Sequence, residues 1–301
     1  MKENPPSGFR KKWQTLRTVC TQPSDARCQG KAFGVTVNRL EELMSVVHTI
    51  INGLSCRDDF ERFKVTRLFR FLPNTGHSAK LLTQIALTDS DRDIREHAKY
   101  EVSKRLTETD VGTILSREDI LSVVDLLITA LKGGRDELRA SAAMILGDFG
   151  ERASHAVQYL IPLIQQPGEP RDCAVIALNQ IMGPAAVEAL PSLVAAIPTS
   201  IPLIRSVLYR IIGRLTSRDN PVAVKALRDG LEDGSLWSRF TAAESLVNLG
   251  LADDRVRRVL FEVASRPQEF EELAEHADEL LAGKHVGDHR ARQELDFPNG
   301  R

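Results

Sequence analysis

"RASAAMILGDFG", Arg139–Gly150, and "RDCAVIALNQIMG", Arg171–Gly183, are near-copies 32 residues apart. Each opens on arginine, runs through small and aliphatic residues, and closes on glycine. Arg139 is followed by Ala142 and Leu146, and Arg171 by Ala174 and Leu178. The same offsets of three and seven residues recur elsewhere. Arg205 leads to Leu208 and Ile212, Arg239 to Ala242 and Leu246, Arg95 to Ala98 and Val102, and Arg62 to Val65 and Phe69. The six arginines are 33, 44, 32, 34 and 34 residues apart. A fixed period in this range is the signature of a repeat array.

Offsets of three and four residues put the apolar positions on one stripe of a helix, with the arginine beside them. A second amphipathic run precedes each such helix. These runs are "SAKLLTQIALTD", "EDILSVVDLLITALKGG", "SHAVQYLIPLIQQPG", "AAVEALPSLVAAIP" and "PVAVKALRDGLEDG". Each ends near Gly, Pro or Asp, which stop helices and form turns. The unit is therefore two antiparallel helices in about 34 residues, and neighbouring units must stack to bury their apolar faces. The expected fold is all-α, an α-solenoid of about six to seven antiparallel helix pairs with little or no sheet. The pairs fall at 36–72, 78–106, 118–150, 153–183, 184–216, 220–250 and 252–282, the last one acidic and capping. The 44-residue step places an insertion at Thr107–Asp119. Residues 1–35 are expected to form a basic tail or arm, 36–282 the solenoid, and 283–301 a polar tail.

"DIREHAKYEV", "ELRASAAMILGDFG" and "WSRFTAAESLVNLG" resemble HEAT repeats, especially the short HEAT-like form of bacterial and archaeal proteins. That armadillo-like family sets an Asp shortly before the Arg of the second helix. Asp93–Arg95 and Asp136–Arg139 match, whereas Arg171, Arg205 and Arg239 lack the Asp at that offset. The resemblance implies the fold and, most often, the binding of other macromolecules. At the level of the repeat the chain also resembles phycobilin lyases and HEAT-like DNA glycosylases.

Composition narrows the function classes. Apolar residues make up 42%, charged residues 27% and aromatics 5%, which suits Ala/Leu/Ile/Val helix packing better than a sheet core. The net charge of −1 gives no global field toward nucleic acid or acidic membrane. The charge is uneven: residues 1–40 hold eight Lys/Arg and two acids, and residues 251–301 hold eight Lys/Arg and twelve acids. Cys20, Cys28, Cys56 and Cys173 have no framework spacing. With no apolar run of membrane length and no secretory signal, they point to the cytoplasm.

Three sets of residues are candidates. The arginine ladder, Arg62, Arg95, Arg139, Arg171, Arg205 and Arg239, is read as structural, each Arg pairing with an Asp of its own or the next repeat. "DDFERFKVTRLFRFLP", Asp58–Pro73, places Phe60, Phe63 and Phe71 opposite a core arc of Val65, Leu68, Phe69 and Leu72, interleaved with Lys64, Arg67 and Arg70. Aromatics with cations between them are the composition of interaction hot spots, so this helix is the candidate partner site. "RKKWQTLR" sets Arg10, Lys11, Lys12 and Arg17 around Trp13, a possible grip on a nucleic-acid backbone. No cofactor and no metal are expected. Cys20 and Cys28 are too far apart in sequence for a zinc pair, and His285 and His289 lie in a polar tail. Glu96–His97 and Glu275–His276 reverse the His–Glu order of the iron-binding HEAT-repeat hydroxylases. The expected function is a non-enzymatic scaffold or adaptor that binds a protein partner through the solenoid surface. A nucleic-acid-binding solenoid is second, and a lyase- or glycosylase-type enzyme third.

Overall fold

The computed structural model describes residues 59–68, 76–107, 116–268 and 271–283. Among them every regular element is helical and there is no strand. The chain divides into two compact units with the break between Val123 and Val124.

The first unit contains α1 (Asp59–Leu68), α2 (Gly76–Thr88), α3 (Arg92–Thr107) and the start of α4 (Arg117–Gly133). α2 and α3 form a close pair joined by Asp89–Asp91, and α1 also packs on α3. Ala79, Leu82, Ile85, Ala86, Ile94, Ala98 and Val102 fill the core between them. The start of α3 is held by Asp91, whose carboxylate accepts from the Ile94 backbone N–H at 3.0 Å. The start of α4 is a reciprocal cap. The Asp119 N–H donates to the Ser116 hydroxyl at 3.1 Å, and that hydroxyl donates to the Asp119 carboxylate at 2.8 Å.

The second unit continues with α5 (Asp136–Asp148), α6 (Val157–Ile164), α7 (Glu169–Ile181), α8 (Leu190–Ala196) and α9 (Pro202–Leu215). It ends with α10 (Pro221–Gly230), α11 (Leu236–Asn248), α12 (Asp254–Ala264) and α13 (Glu271–Leu281). Two of the expected first helices are broken. A 3₁₀ segment, Gly150–Ala156, precedes α6, and two others, Pro184–Ala189 and Ile197–Thr199, flank α8. Pro191 and Pro198 carry no N–H to continue an α-helical ladder, and Ala153 leaves helical φ/ψ.

The second helices stack side by side, α5 on α7, α7 on α9 and α9 on α11. Small residues make this possible. Ala140, Ala142, Ala143, Ala174, Ala177, Ala242 and Ala243 are all buried. A Cβ on Gly147 would lie 3.0 Å from the Ala177 Cα, and one on Gly213 would lie 2.4 Å from the Ser245 Cβ. The Ser245 hydroxyl donates to the Tyr209 carbonyl at 3.1 Å, so a polar side chain ties α11 to α9 at their closest approach. α11 ends on Gly250, whose φ of +71° allows the Leu251 N–H to reach back to the Leu246 carbonyl.

Ala142 and Ala143 have no exposed surface. Ala142→Leu and Ala143→Leu each overpack this stack, with an expected cost of about 1–3 kcal/mol in urea denaturation. Wild-type midpoints for both variants would refute the packing described.

Candidate functional site

The ladder arginines lie near the starts of second helices, and for Arg62, Arg171 and Arg205 the main partners come later in the chain. Arg62 is buried and donates to both carboxylate oxygens of Asp89, at 3.1 and 3.2 Å, with Asp59 as a further partner. Arg205 donates to both oxygens of Asp233, at 2.6 and 2.8 Å. Arg171 donates to the hydroxyl and carbonyl of Thr199, at 2.8 and 3.0 Å. These acceptors stand 27 or 28 residues after their arginine, in the turn before the next second helix. The next arginine then grips the same turn from its other side. Arg95 donates to the Asp89 carbonyl at 2.9 Å, and Arg239 to the Asp233 carbonyl at 2.9 Å and to Glu262 at 2.8 Å.

Arg139 differs. Gln166 and Pro167 stand 27 and 28 residues after it, and neither is a hydrogen-bond partner of it. Arg139 pairs instead with Asp136 on its own helix, and its Nε is buried with no hydrogen-bond partner among the described residues. A scan for acids just before each arginine misses Asp89, Asp233 and Thr199. The usable signal is the residue 27–28 positions later.

The rung at Arg205 is also the most electrically organised. The Tyr209 hydroxyl donates to Asp233 at 3.3 Å, and the Ser235 N–H donates to the same carboxylate at 2.9 Å. Burial pushes the Asp233 carboxyl up, but the Arg205 hydrogen bonds, the Ser235 N–H and the Arg205 charge outweigh it and hold it below the usual range. Burial and then the Asp233 charge push the Tyr209 phenol up to about 12.

The aromatic helix is only partly described. Phe60 is 65% exposed and Arg67 is exposed. Phe63 is half-buried, with its ring 5.5 Å from the His97 ring of α3, so it has cover from inside its own unit. Among the described side chains of α1, Arg62 and Thr66 are buried; the expected core arc of Val65, Leu68, Phe69 and Leu72 lies outside the described side chains. Arg62 is drawn in by Asp89, and the Thr66 hydroxyl donates to the Arg62 carbonyl. Lys64 lies on α1, its side chain outside the description. Arg70 and Phe71 lie outside the described residues, as do Arg10, Lys11, Lys12, Trp13 and Arg17.

A second set of residues was not singled out by sequence. Met144, Ile176, Arg210 and Glu244 each stand five residues after a ladder arginine, on α5, α7, α9 and α11. All four are half-buried, and adjacent helices bring them into one row. Arg214, one turn beyond Arg210, is exposed as a residue, and its Nη1 donates to the Asn179 carbonyl at 3.5 Å. Packing desolvates its guanidinium and Arg210 adds like charge, so both lower its pKa. Neither Arg210 nor Arg214 has a carboxylate within ion-pair distance among the described residues. Glu244 accepts from no arginine among the described residues but meets His276 Nε2 at 2.8 Å, and the His276 ring packs edge-on to Phe240. Constant offset from the ladder was the signal that could have found this row.

Among the described residues no group of three or more His, Cys, Asp or Glu could hold a metal ion. Glu96 pairs with Lys99 at 2.7 Å. No described helix is long and apolar enough to cross a membrane.

No family model and no curated protein matches the chain. Among solved structures it is similar to the complex of CpcE and CpcF of phycocyanin lyase from Nostoc sp. PCC7120. Identity is 17% over 87% of this chain and 98% of that chain, with a TM-score of 0.41. It is also similar to human deoxyhypusine hydroxylase in complex with glycerol, at 16% identity over 81% of this chain and 99% of that one, with a TM-score of 0.29. Both are helical-repeat proteins. They correct one expectation. The chain was read as non-enzymatic because no catalytic constellation stood out in its sequence. A lyase and a hydroxylase are among the structures it is similar to, so a helical-repeat architecture is no ground for excluding catalysis.

Proposed function

We propose that the chain is a HEAT-like solenoid that binds a protein partner through the row on its second helices. One observation carries this reading: Arg210 and Arg214 present two adjacent cations, without carboxylate partners among the described residues, beside half-buried Ile176 and Met144. Most ladder arginines spend their donors inside the stack, whereas these two have no carboxylate partner among the described residues. Apolar side chains next to arginines without carboxylate partners among the described residues suit a partner segment that is acidic on one side and apolar on the other. In this reading the ladder arginines hold the stack together and do not bind the ligand. Phe60 and Arg67, both exposed, form a separate candidate surface on the first unit. The compartment is the cytoplasm, as the cysteine spacing suggests.

The test begins with cross-linking mass spectrometry to identify a partner and its contact residues. The double variant Arg210→Glu, Arg214→Glu is then titrated against that partner. Affinity is expected to fall at least about tenfold with the melting temperature unchanged, since reversing contact charges adds repulsion to the lost attraction. Undiminished affinity in the double variant would refute the row as the binding face.

A further inference from the structure

The last two helix pairs enclose a second feature, independent of the row above. A polar cleft of about 300 Å³ opens between the turn after α10 and the face of α12. Glu232, Asp233, Arg239, Arg255, Arg258 and Glu262 line it. Three of these are acids, and each already has a cationic partner. Asp233 accepts from Arg205, Glu232 from Arg255 at 3.0 Å, and Glu262 from Arg239 at 2.8 Å and Arg266 at 3.2 Å. Arg258 alone among the lining cations has no carboxylate within ion-pair distance among the described residues. Its Nε lies 3.4 Å from the Asp254 carbonyl of its own helix, and its two terminal nitrogens have no partner among the described residues.

With Arg205 and Arg266, which pair with the lining acids from outside the cleft, five arginines stand against three carboxylates. A metal ion or an amine would have to displace an arginine from its carboxylate. An apolar ligand would have to desolvate this lining without replacing its hydrogen bonds. A compact oxyanion does neither. Its oxygens take the free fork of Arg258, and the bridged guanidinium groups of Arg239 and Arg255 stand in the same walls, already oriented by Glu262 and Glu232. Preorientation matters because ordering long side chains is a main cost of binding a small anion.

We infer that this cleft binds a carboxylate or phosphate group, with Arg258 as its principal ligand. The two sources share the same chemistry and differ in charge and shape. Inorganic phosphate and succinate, each titrated calorimetrically into the full chain at constant ionic strength set by sodium chloride, distinguish them. Saturable binding of either one is expected. Arg258→Gln is expected to weaken it at least about tenfold, the loss of a charge-assisted contact, and Arg258→Glu to abolish it. Arg257→Gln serves as the control. Arg257 is the next residue on α12, pairs with Asp254 and does not line the cleft, so affinity is expected to stay within about twofold. Absence of saturable binding for both anions, or equal weakening in the Arg257 and Arg258 variants, would overturn the inference.

Discussion

Arg205→Ala is expected to lower the unfolding free energy by about 3 kcal/mol, near the lower end of what removing one partner of a buried ion pair costs. The Arg205 side chain keeps 21% of its surface while that of Asp233 keeps 4%, so the loss falls mainly on the carboxylate. Asp233 would retain the Ser235 N–H and the Tyr209 hydroxyl but no cation. The turn that carries Asp233 also receives Arg239, so the variant loosens the junction of two repeats at once. Arg139→Ala is the informative comparison. Its pair with Asp136 is local and exposed on the Asp136 side, and is expected to contribute no more than about 1 kcal/mol. Urea denaturation of both variants checks the contrast. Equal losses would mean that the repeat position, and not the acceptor in the following turn, sets the contribution of a ladder arginine.

Alkaline pH should destabilise the second unit through Tyr209. Its phenol is held at about 12 against an ordinary 10.0, because burial and the Asp233 charge oppose ionisation. Between those values the unfolded chain loses this proton and the folded chain keeps it. The unfolded state then binds fewer protons, so stability is full below pH 10 and is lost as the pH rises toward about 12. A shift of this size corresponds to about 2–3 kcal/mol. Tyr209→Phe removes that share of the slope, and the difference between the two pH profiles in denaturation isolates it. Gly230 packs against the ring, with the position of a Cβ 2.7 Å from the Tyr209 Cε1, so the aromatic body remains buried in the Phe variant. Parallel profiles for the two proteins above pH 10 would refute the assignment.

The aromatic helix stands out in the sequence, and the row on the second helices does not. Phe60, Phe63 and Phe71 stand out in one helix because aromatic residues are rare in this chain. The structure exposes Phe60 and sets Phe63 against His97, a contact between α1 and α3 that no local pattern contains. The row of Met144, Ile176, Arg210 and Glu244 has no distinctive composition. It becomes visible only when the helices are superposed in register, because its members are more than 30 residues apart.

By itself the sequence determined the all-α helical repeat and the place of its second helices. A recurring arginine with apolar residues three and seven positions later specifies helical faces, and small residues at the contacts specify close stacking. Both are local properties repeated at one period. Which arginines are satisfied was decided only by tertiary structure. Arg205 and Arg139 hold equivalent positions, yet Arg205 meets Asp233 across a turn, whereas Arg139 pairs with Asp136 on its own helix and its Nε has no hydrogen-bond partner among the described residues. The physical reason is reach. A guanidinium pairs with whatever the next repeat places within about 3 Å of it, and that depends on how one helix pair seats on the next.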